Sequence, residues 1–494
     1  MVWRPTRNSH ARLLVKRIHI RNFKSIKNVT LDLYPGVNVL VGGNASGKTN
    51  ILEAIAFMRK ALVDAAERIP YRPHAPTYWS PLDIIYGRDP AQTIMLGLEL
   101  TYYWKPDDKA TDGWASIDIT FSFEMAYDKV SDTLEPVRYH LRIGNERYYT
   151  RLEIQTNRIE MTTSIEAFRK MKEIFKSSRL HGYLEKQLDK IIEKVEALDE
   201  EVRFVFELEE SLPSPMLLTR QPLAVRGKSR VERDYYIGVE ELLLSGTFIT
   251  IPFIVGFTRI SRPRGLLLKG GALVRFLSRN MSPTSIIKFL IPDVLSKVIM
   301  VRHPDIGAIG EPARFTGSDK LDERARNLAE VLLSLQGRLG RFPERVERAL
   351  RRLFPAISLR VETRFGRVVV VGEENGVELP PPCLPDGLVK LVALMLAADL
   401  EPSILLVDEI ENSMHARLLE YVIDEFNNLG VPVLVATHSP VVVDLVEPER
   451  VLIVRRDPEK GTIVERIRDV EELRQKLIEE GIALSDYILY GETY

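Results

Sequence analysis

The chain has little cysteine, little net charge and no long apolar run. These features argue against a disulfide-linked protein, a uniformly basic protein and a membrane-spanning protein. Cys383 is the one cysteine among 494 residues, so no intrachain disulfide can form, which fits a reducing compartment. The longest apolar stretches, residues 248–257 and 391–400, are shorter than a membrane-spanning helix. The N-terminus is basic but lacks the apolar segment of a secretory signal. We therefore expect a cytoplasmic protein with no membrane partner.

Basic charge is concentrated locally rather than spread over the whole chain. The formal net charge is -1, so contact with nucleic acid would need local basic patches. Arginine is frequent at residues 259–279 and again at residues 338–352. Each stretch has two interpretations: a surface for a phosphate backbone, or a solvated helix face whose arginines pair with acids such as Glu344.

The pattern G-x-x-x-x-G-K-T occupies Gly42–Thr49, which we call the glycine-rich loop. It follows an apolar run at residues 37–41 that predicts a buried strand, and it precedes a helical pattern. In this context the backbone N–H groups and the helix N-terminus can bind phosphate. Lys48 can reach the β- and γ-phosphates, and Thr49 can bind Mg²⁺. A chance turn before a helix is the alternative. The residues predicted to line the phosphates are Gly42, Gly43, Asn44, Ala45, Ser46, Gly47, Lys48, Thr49 and Asn50.

Two adjacent carboxylates follow a second apolar run far along the chain. Residues 404–407 predict a buried strand that delivers Asp408 and Glu409 to its carboxyl end. Asp408 can bind Mg²⁺, and Glu409 can polarise the attacking water in phosphoryl transfer. The alternative is a strand that becomes polar as it leaves the core. A third apolar run, at residues 431–436, comes shortly before His438, which either contacts the γ-phosphate or is structural.

The periodicity of apolar residues changes along the chain and predicts three domains. Alternation with period two from Ile94 to Ile159 predicts antiparallel strands. A helical period between residues 165 and 210 predicts a helical hairpin or small bundle. Beyond residue 384, strands and helices alternate as in a parallel sheet with helices on its faces. The predicted domains are residues 1–160, the N-terminal half of an α/β head with an antiparallel β-lobe; residues 161–320, an inserted mainly helical domain; and residues 321–494, the C-terminal half of the head.

Taken together, these motifs resemble the ABC-type ATPases of the AAA family, the group related to RecF, SMC and OLD proteins. The resemblance covers the first 60 residues and roughly residues 320–445. It implies a P-loop NTPase of the α/β class that binds ATP and Mg²⁺, with nucleotide held between two heads arranged head to tail as a homodimer. The matching segments are Ile20–Ser25, Gly42–Asn50, Asn327–Leu328, Leu384–Gly387, Leu405–His415 and Ala436–Pro440.

The resemblance also implies roles for individual residues. The implied catalytic residues are Lys48, Glu409 and His438, and the implied metal ligands are Thr49 and Asp408. Lys24 and Ser25 are implied to lie near the nucleotide.

One segment departs from the family pattern: the signature-like loop, which we define as Pro385, Asp386 and Gly387. The family places a serine two residues before the glycine, where it meets the γ-phosphate held by the opposite head. Pro385 has neither a hydroxyl nor an N–H donor. It does suit the first turn of a helix, whose N-terminus can still face phosphate. We therefore expect a weakened contact between two heads.

The resulting prediction is an ATPase that couples nucleotide state to DNA or a DNA-acting partner in genome maintenance or defence. The target rests on family resemblance alone. A non-hydrolysing, nucleotide-gated scaffold of a nuclease or toxin pair stays open, because Pro385 favours it while Asp408 and Glu409 oppose it. A transporter ATPase subunit also stays open, although we find no L-S-G-G-Q signature or Q-loop glutamine. The stretch after His438 is too short for a Toprim nuclease domain, so we expect any nuclease to be a separate partner.

Overall fold

The computed structural model describes two compact units, each assembled from separate parts of the chain. The first unit contains residues 1–24 and 58–296, and the second contains residues 25–57 and 297–494. The described residues are 11–64, 80–104, 115–146, 149–155, 158–164, 202–208, 223–225, 227–231, 235–236, 242–244, 290–364, 366–467 and 469–490.

Strands and helices are numbered in chain order. The strands are β1 (Ala11–Phe23), β2 (Ile26–Asp32), β3 (Gly36–Val41), β4 (Ile94–Trp104), β5 (Ala115–Asp128), β6 (Thr133–Gly144), β7 (Tyr149–Gln155), β8 (Arg158–Thr163), β9 (Val202–Leu208), β10 (Leu223–Val225), β11 (Gly227–Val231), β12 (Tyr235–Tyr236), β13 (Leu242–Leu244), β14 (Val298–Arg302), β15 (Ala313–Arg314), β16 (Ile357–Arg364), β17 (Arg367–Glu374), β18 (Val377–Leu379), β19 (Ile404–Asp408), β20 (Pro432–Thr437), β21 (Val451–Asp457) and β22 (Gly461–Arg466). The α-helices are α1 (Lys48–Arg59), α2 (Ile291–Ser296), α3 (Ile306–Ile309), α4 (Leu328–Leu339), α5 (Glu344–Leu353), α6 (Asp386–Asp399), α7 (Ala416–Asn427), α8 (Pro440–Asp444) and α9 (Val470–Glu480). Short π or 3₁₀ turns occupy Lys60–Asp64, Pro81–Ile84, Tyr86–Arg88, Pro381–Cys383, Pro448–Arg450 and Asp486–Tyr490.

The first unit is an antiparallel β-lobe. Its strands follow the order β12-β11-β9-β8-β7-β6-β5-β4-β1, and every neighbouring pair is antiparallel. Alternate residues are buried, as one wet face requires. Leu96 and Leu98 of β4, for example, lie opposite Phe123 and Phe121 of β5, and all four are buried. The predicted β-lobe is therefore confirmed.

The predicted helical hairpin at residues 165–210 falls mostly outside the described residues. Its described part, Val202–Leu208, is strand β9, which pairs with β8. The apolar residues Val202, Phe204, Phe206 and Leu208 recur with period two, so the helical prediction extended past the point where the period changes. The predicted boundary at residue 160 lies within β8. The mainly helical character of residues 161–320 stays a prediction.

The second unit contains a largely parallel sheet in the order β2-β22-β21-β3-β20-β19-β14. The neighbouring pairs β21–β3, β3–β20, β20–β19 and β19–β14 are parallel, whereas β22 pairs antiparallel with β2 and β21. Every residue of β3, β19 and β20 is buried, as expected for a sheet covered on both faces. The α/β class is confirmed. A smaller sheet with the order β15-β17-β16, with β18 on β17, was not predicted.

Helices of the second unit begin and end at residues suited to those positions. Helix α6 starts after Pro385, carries Asp386 in its first turn and is buried from Leu388 to Ala398. At the start of α9, the Asp469 side chain accepts the N–H of Glu472, and left-handed Gly481 follows its end. Within the described ranges, no helix is long and apolar enough to cross a membrane.

Candidate functional site

The predicted site residues converge at the carboxyl ends of three neighbouring parallel strands. The glycine-rich loop follows β3, His438 follows β20, and Asp408 ends β19. Strand β20 lies between the other two in the sheet. In α/β sheets this edge is where ligands bind, because loops and helix N-termini open there. The sequence predicted that each of the three motifs follows a strand. The strand order in the sheet then shows that the three strand ends are neighbours.

The glycine-rich loop is packed tightly against strands β21 and β22 from behind. A Cβ atom added to Gly42 would lie 2.0 Å from the carbonyl oxygen of Val454. A Cβ atom on Gly47, which has a φ of +109°, would lie 2.1 Å from Oγ1 of Thr462. On its other side the loop is open, since Gly43, Asn44 and Ala45 are exposed. The loop therefore needs glycine where it meets the sheet and presents its turn to solvent.

Lys48 is folded back onto the loop that precedes it. Its side chain is only 6% exposed, and Nζ donates to the carbonyl oxygens of Gly42 at 2.8 Å and Gly43 at 3.0 Å. Burial lowers the pKa of Lys48, while the negative charges of the acids at residues 408–411 oppose that change. The ammonium group thus closes the loop and lies within the field of these acids.

Asp408 meets Thr49 directly, although most of the chain separates them in sequence. Oγ1 of Thr49 donates to both carboxylate oxygens of Asp408 at 3.2 Å. Nε of Arg302 lies 3.4 Å from Oδ2 of Asp408, and Nη1 of Arg302 lies 2.5 Å from Oε1 of Glu53. Burial raises the pKa of Asp408, and the charge of Arg302 and the hydroxyl of Thr49 oppose that change. A hydroxyl and a carboxylate in contact form the donor set that Mg²⁺ uses beside a bound phosphate.

Glu409 has a left-handed backbone and a partly exposed side chain. Its φ is 50°, and its N–H donates to the carbonyl oxygen of Ala436 at 2.9 Å. Oε2 accepts from Nδ2 of Asn412 at 2.6 Å and lies 3.3 Å from Nε2 of His303. The side chain retains 38% of its exposure. Glu409 is thus held at one oxygen while it stays accessible.

A third acid, Glu411, supports His438. Its two carboxylate oxygens accept from Oγ1 of Thr437 at 2.8 Å and from the backbone N–H of His438 at 2.7 Å. The His438 ring is half-buried and has no hydrogen-bond partner among the described residues. Sequence reasoning missed Glu411, although its place two residues after Glu409 was an available signal.

Ser25 lies behind the glycine-rich loop in a chain of hydroxyl groups. Nδ2 of Asn50 donates to Oγ of Ser25 at 2.7 Å, and that oxygen lies 2.7 Å from Oγ1 of Thr462. Thr462 in turn donates to the carbonyl oxygen of Ser46 at 3.1 Å. Lys24 belongs to the first unit, where its N–H donates to Ile84. The structure therefore brings Ser25 to the loop, and the position of Lys24 near the nucleotide stays a prediction.

The signature-like loop lies at the N-terminus of helix α6. Pro385 and Asp386 are exposed, and Gly387 packs so closely that an added Cβ would lie 2.9 Å from the Ser413 carbonyl oxygen. In the part of the chain that the structure describes, none of the three residues forms a hydrogen bond to the glycine-rich loop.

Arg302, His303 and Thr462 are the site residues that sequence reasoning missed altogether. No motif marks them, because each reaches the site only through strand pairing. The one available signal for Arg302 and His303 is the apolar run of β14, which ends in two basic residues as β19 ends in two acids.

Two family models match the chain, and between them they span both units. The model described as "AAA ATPase domain" matches residues 14–212, and the model described as "AAA domain, putative AbiEii toxin, Type IV TA system" matches residues 301–444. The relationship to AAA-type P-loop ATPases that the motifs predicted is thereby confirmed.

The similarity of this chain to curated relatives extends over a short segment. The DNA replication and repair protein RecF of Lactococcus lactis subsp. cremoris is 48% identical over 44 residues, which is 9% of this chain and 12% of that protein. RecF of Moorella thermoacetica is 45% identical over 49 residues, 10% of this chain and 13% of that protein. The chain thus spans about an eighth of the length of the curated relatives it matches.

Solved structures of SMC heads align along most of the chain at low identity. An SMC head bound to the C-winged helix domain of ScpA is 13% identical with a TM-score of 0.38, covering 94% of this chain and 99% of that chain. An SMC head with an extended coiled coil, bound to the C-terminal domain of ScpA from Pyrococcus furiosus, is 12% identical with a TM-score of 0.41, covering 95% and 100%.

Proposed function

We propose that this AAA ATPase binds ATP with Mg²⁺ at the glycine-rich loop and hydrolyses it. The observation that carries the proposal is the contact between Thr49 and Asp408, at 3.2 Å to each carboxylate oxygen. It joins the start of helix α1 to the end of β19, so one buried sheet brings phosphate-binding N–H groups beside the acids. That combination is what phosphoryl transfer requires.

The residues present suit both ligands. The N-terminal N–H groups of α1 lack partners within the helix, and the helix dipole adds positive charge there. Oγ of Ser46 is buried and has no hydrogen-bond partner in the described chain, so it is available to a phosphate oxygen. Thr49 and Asp408 would hold Mg²⁺, which supplies positive charge against the phosphate oxygens. The loop residues from Gly42 to Asn50 would surround the phosphates.

The remaining roles follow from position. Lys48 would exchange its two carbonyl partners for phosphate oxygens, because an ammonium group binds an anion more strongly than a neutral carbonyl. Glu409 would accept a proton from water while the water oxygen bonds to the γ-phosphorus, and the bond from that phosphorus to the bridging oxygen breaks to release ADP and phosphate. His438, whose backbone Glu411 holds, would contact the γ-phosphate. Ser25 would support the loop from behind, and Lys24 would lie near the nucleotide.

Two variants test this assignment against matched controls. Lys48→Ala should abolish ATP binding, whereas Lys27→Ala removes an exposed lysine of the same unit and should not change it. Glu409→Gln should keep binding and lower the rate of phosphate release about 10²–10⁴-fold, as expected for loss of a general base. Glu420→Gln, on exposed α7 surface, is its control. Turnover by Glu409→Gln at the wild-type rate would refute the role of Glu409.

The partners are proposed from the relatives and from one exposed loop. Because the RecF relatives are described as DNA replication and repair proteins, we propose that nucleotide state is coupled to DNA or to a DNA-acting protein. Phosphate release should then rise with DNA, and the rise should fade at higher salt, since phosphate contacts release counterions. No stimulation at either of two salt concentrations would exclude direct coupling to DNA.

A head-to-tail homodimer would place the signature-like loop of one copy against the nucleotide of the other. Pro385 and Asp386 are exposed at the N-terminus of α6, which is suited to face phosphate. The Glu409→Gln protein with ATP should therefore become dimeric in sedimentation, and Asp386→Trp, which adds bulk at an exposed position of this loop, should prevent it.

A second candidate function is a nucleotide-gated scaffold that binds ATP without hydrolysing it. Pro385 favours it, and the second family model carries the name of a toxin–antitoxin system. The two functions separate in one assay: a scaffold would bind ATP through Lys48 yet release no phosphate, with wild type and Glu409→Gln indistinguishable.

A further inference from the structure

Two basic residues at the end of β14 face the two acids at the end of β19. The strands are parallel and paired in register, with Arg302 opposite Asp408. Nε of Arg302 lies 3.4 Å from Oδ2 of Asp408, and Nε2 of His303 lies 3.3 Å from Oε2 of Glu409. Each acid of the site thus has its own basic neighbour, supplied by a strand that carries none of the predicted motifs.

His303 and Glu409 are both held in left-handed backbone conformations. Their φ angles are 42° and 50°, which residues other than glycine seldom adopt. Such strain persists only where the surroundings enforce it. For Glu409 they do, because its N–H donates to Ala436 and its carbonyl oxygen accepts from Nζ of Lys390 at 2.8 Å. The two left-handed residues thus lie in contact across neighbouring strand ends.

A third residue, Asn412, completes a closed polar triangle with this pair. Its Nδ2 lies 2.6 Å from Oε2 of Glu409 and 3.3 Å from Nδ1 of His303. Because an amide nitrogen can only donate, the histidine must accept at Nδ1. Its hydrogen is then on Nε2, the ring nitrogen that lies 3.3 Å from Oε2 of Glu409. Asn412 therefore donates to Oε2, and His303 Nε2 lies beside the same oxygen.

The other oxygen of Glu409 has no hydrogen-bond partner within the described residues. We propose that His303 is a positioning residue: with Asn412 it holds Oε2 of Glu409, so that Oε1 faces the water to be activated. This inference rests on the proposed ATP hydrolysis. His303 takes no proton in the reaction, since Oε1 receives the proton of the attacking water and the γ-phosphoryl group leaves ADP. Without His303, Glu409 retains its chemistry but loses its fixed orientation.

Variants at position 303 separate positioning from folding. His303→Asn tolerates the left-handed backbone but is too short to reach Oε2. His303→Gly removes the side chain and relieves the backbone strain. His303→Gln restores an N–H donor of similar reach. His19→Gln is the matched control, because Nε2 of His19 lies 2.8 Å from Oε1 of Glu99 in a comparable histidine–carboxylate pair of the first unit.

The measurement is the single-turnover rate of hydrolysis by full-length protein with ATP and Mg²⁺ already bound, together with the Kd for ATP and the Tm. We expect His303→Asn and His303→Gly to slow hydrolysis about 10–100-fold, the usual loss when a reacting group is misplaced. Their Kd for ATP should not change, His303→Gln should recover most of the rate, and His19→Gln should match wild type.

Three results would overturn the proposal while leaving ATP hydrolysis intact. They are wild-type rates in both His303→Asn and His303→Gly, a loss of rate accompanied by an equal loss of ATP affinity, and a His303→Gln protein as slow as His303→Gly. If wild-type protein releases no phosphate, the proposed function itself fails and this inference fails with it. A variant that does not fold is recognised by its Tm, and the other short variant then decides.

Discussion

The glycine-rich loop gives the sharpest prediction about stability, because two of its glycines differ completely in their surroundings. Gly47 has a φ of +109°, and an added Cβ would lie 2.1 Å from Oγ1 of Thr462. Gly43 lies outside that region of φ, and a Cβ there would meet nothing within 4 Å. The same methyl group added at these two positions should therefore have opposite consequences, although both lie in the same loop.

The magnitude for Gly47→Ala follows from what must move. Thr462 is fully buried, and its hydroxyl is bonded to Ser25 and to the carbonyl oxygen of Ser46, so it cannot swing aside without losing those bonds. Backbone strain costs about 1–3 kcal/mol, overpacking about 1–3 kcal/mol, and a lost hydrogen bond about 1 kcal/mol. We expect the free energy of unfolding to fall by about 3 kcal/mol or more. Gly43→Ala should be neutral or slightly stabilising, since it restricts the unfolded chain.

Thermal unfolding without nucleotide measures this difference apart from any chemistry. For a unit of this size, 3 kcal/mol corresponds to a fall in Tm of about 6–12 °C. Adding Thr462→Ala to Gly47→Ala should recover the overpacking part of the loss but not the backbone strain. Equal Tm values for Gly47→Ala and Gly43→Ala would refute the reasoning, and so would a double variant no more stable than Gly47→Ala alone.

Two further predictions concern buried charges around the acids. Arg302→Gln should lower the free energy of unfolding by about 1–3 kcal/mol, because it leaves the carboxylates of Glu53 and Asp408 without their shared cation. Adding Asp408→Asn should restore part of the loss, and strictly additive effects would contradict the pairing of Arg302 with Asp408. Burial lowers the pKa of Lys390 from 10.5 to about 8, so between those pH values the unfolded chain holds a proton that the folded chain does not. The wild type should therefore gain stability relative to Lys390→Met as pH rises through that window in urea titrations, and a pH-independent difference would show that Lys390 titrates normally.

Local patterns predicted those elements whose signals are complete within a few residues. The apolar run at residues 404–407 is followed directly by both acids, and strand β19 spans Ile404–Asp408. Helix α9 was covered only by the predicted alternation of strands and helices beyond residue 384, and its bounding residues Asp469 and Gly481 suit the start and the end of a helix. The antiparallel lobe followed from alternation alone. In each case the local preference and the final environment agree.

Long-range pairing determined the parts that local patterns did not predict. Arg302 and His303 approach the acids only because β14 pairs with β19 in one particular register, and no local pattern specifies that neighbour. Thr462 has no sequence motif around it, and it contacts the glycine-rich loop only because β22 packs against that loop. Strands β16–β18 were not predicted, although apolar residues alternate at residues 357–361.

The same long-range pairing makes the candidate phosphate site a property of the whole second unit. Strand β3 is flanked by β20 and β21, so the strand that leads into the glycine-rich loop pairs only with segments from the far end of the chain. Val454 and Thr462 pack against Gly42 and Gly47 on one side of the loop. On the other side, Thr49 donates a hydrogen bond to Asp408. Closing so long a loop is entropically costly, and the many buried residues of β3, β19 and β20 offset that cost. The motif near residue 42 therefore acquires its geometry only when residues 404–462 are in place, so the sheet core and the site form together.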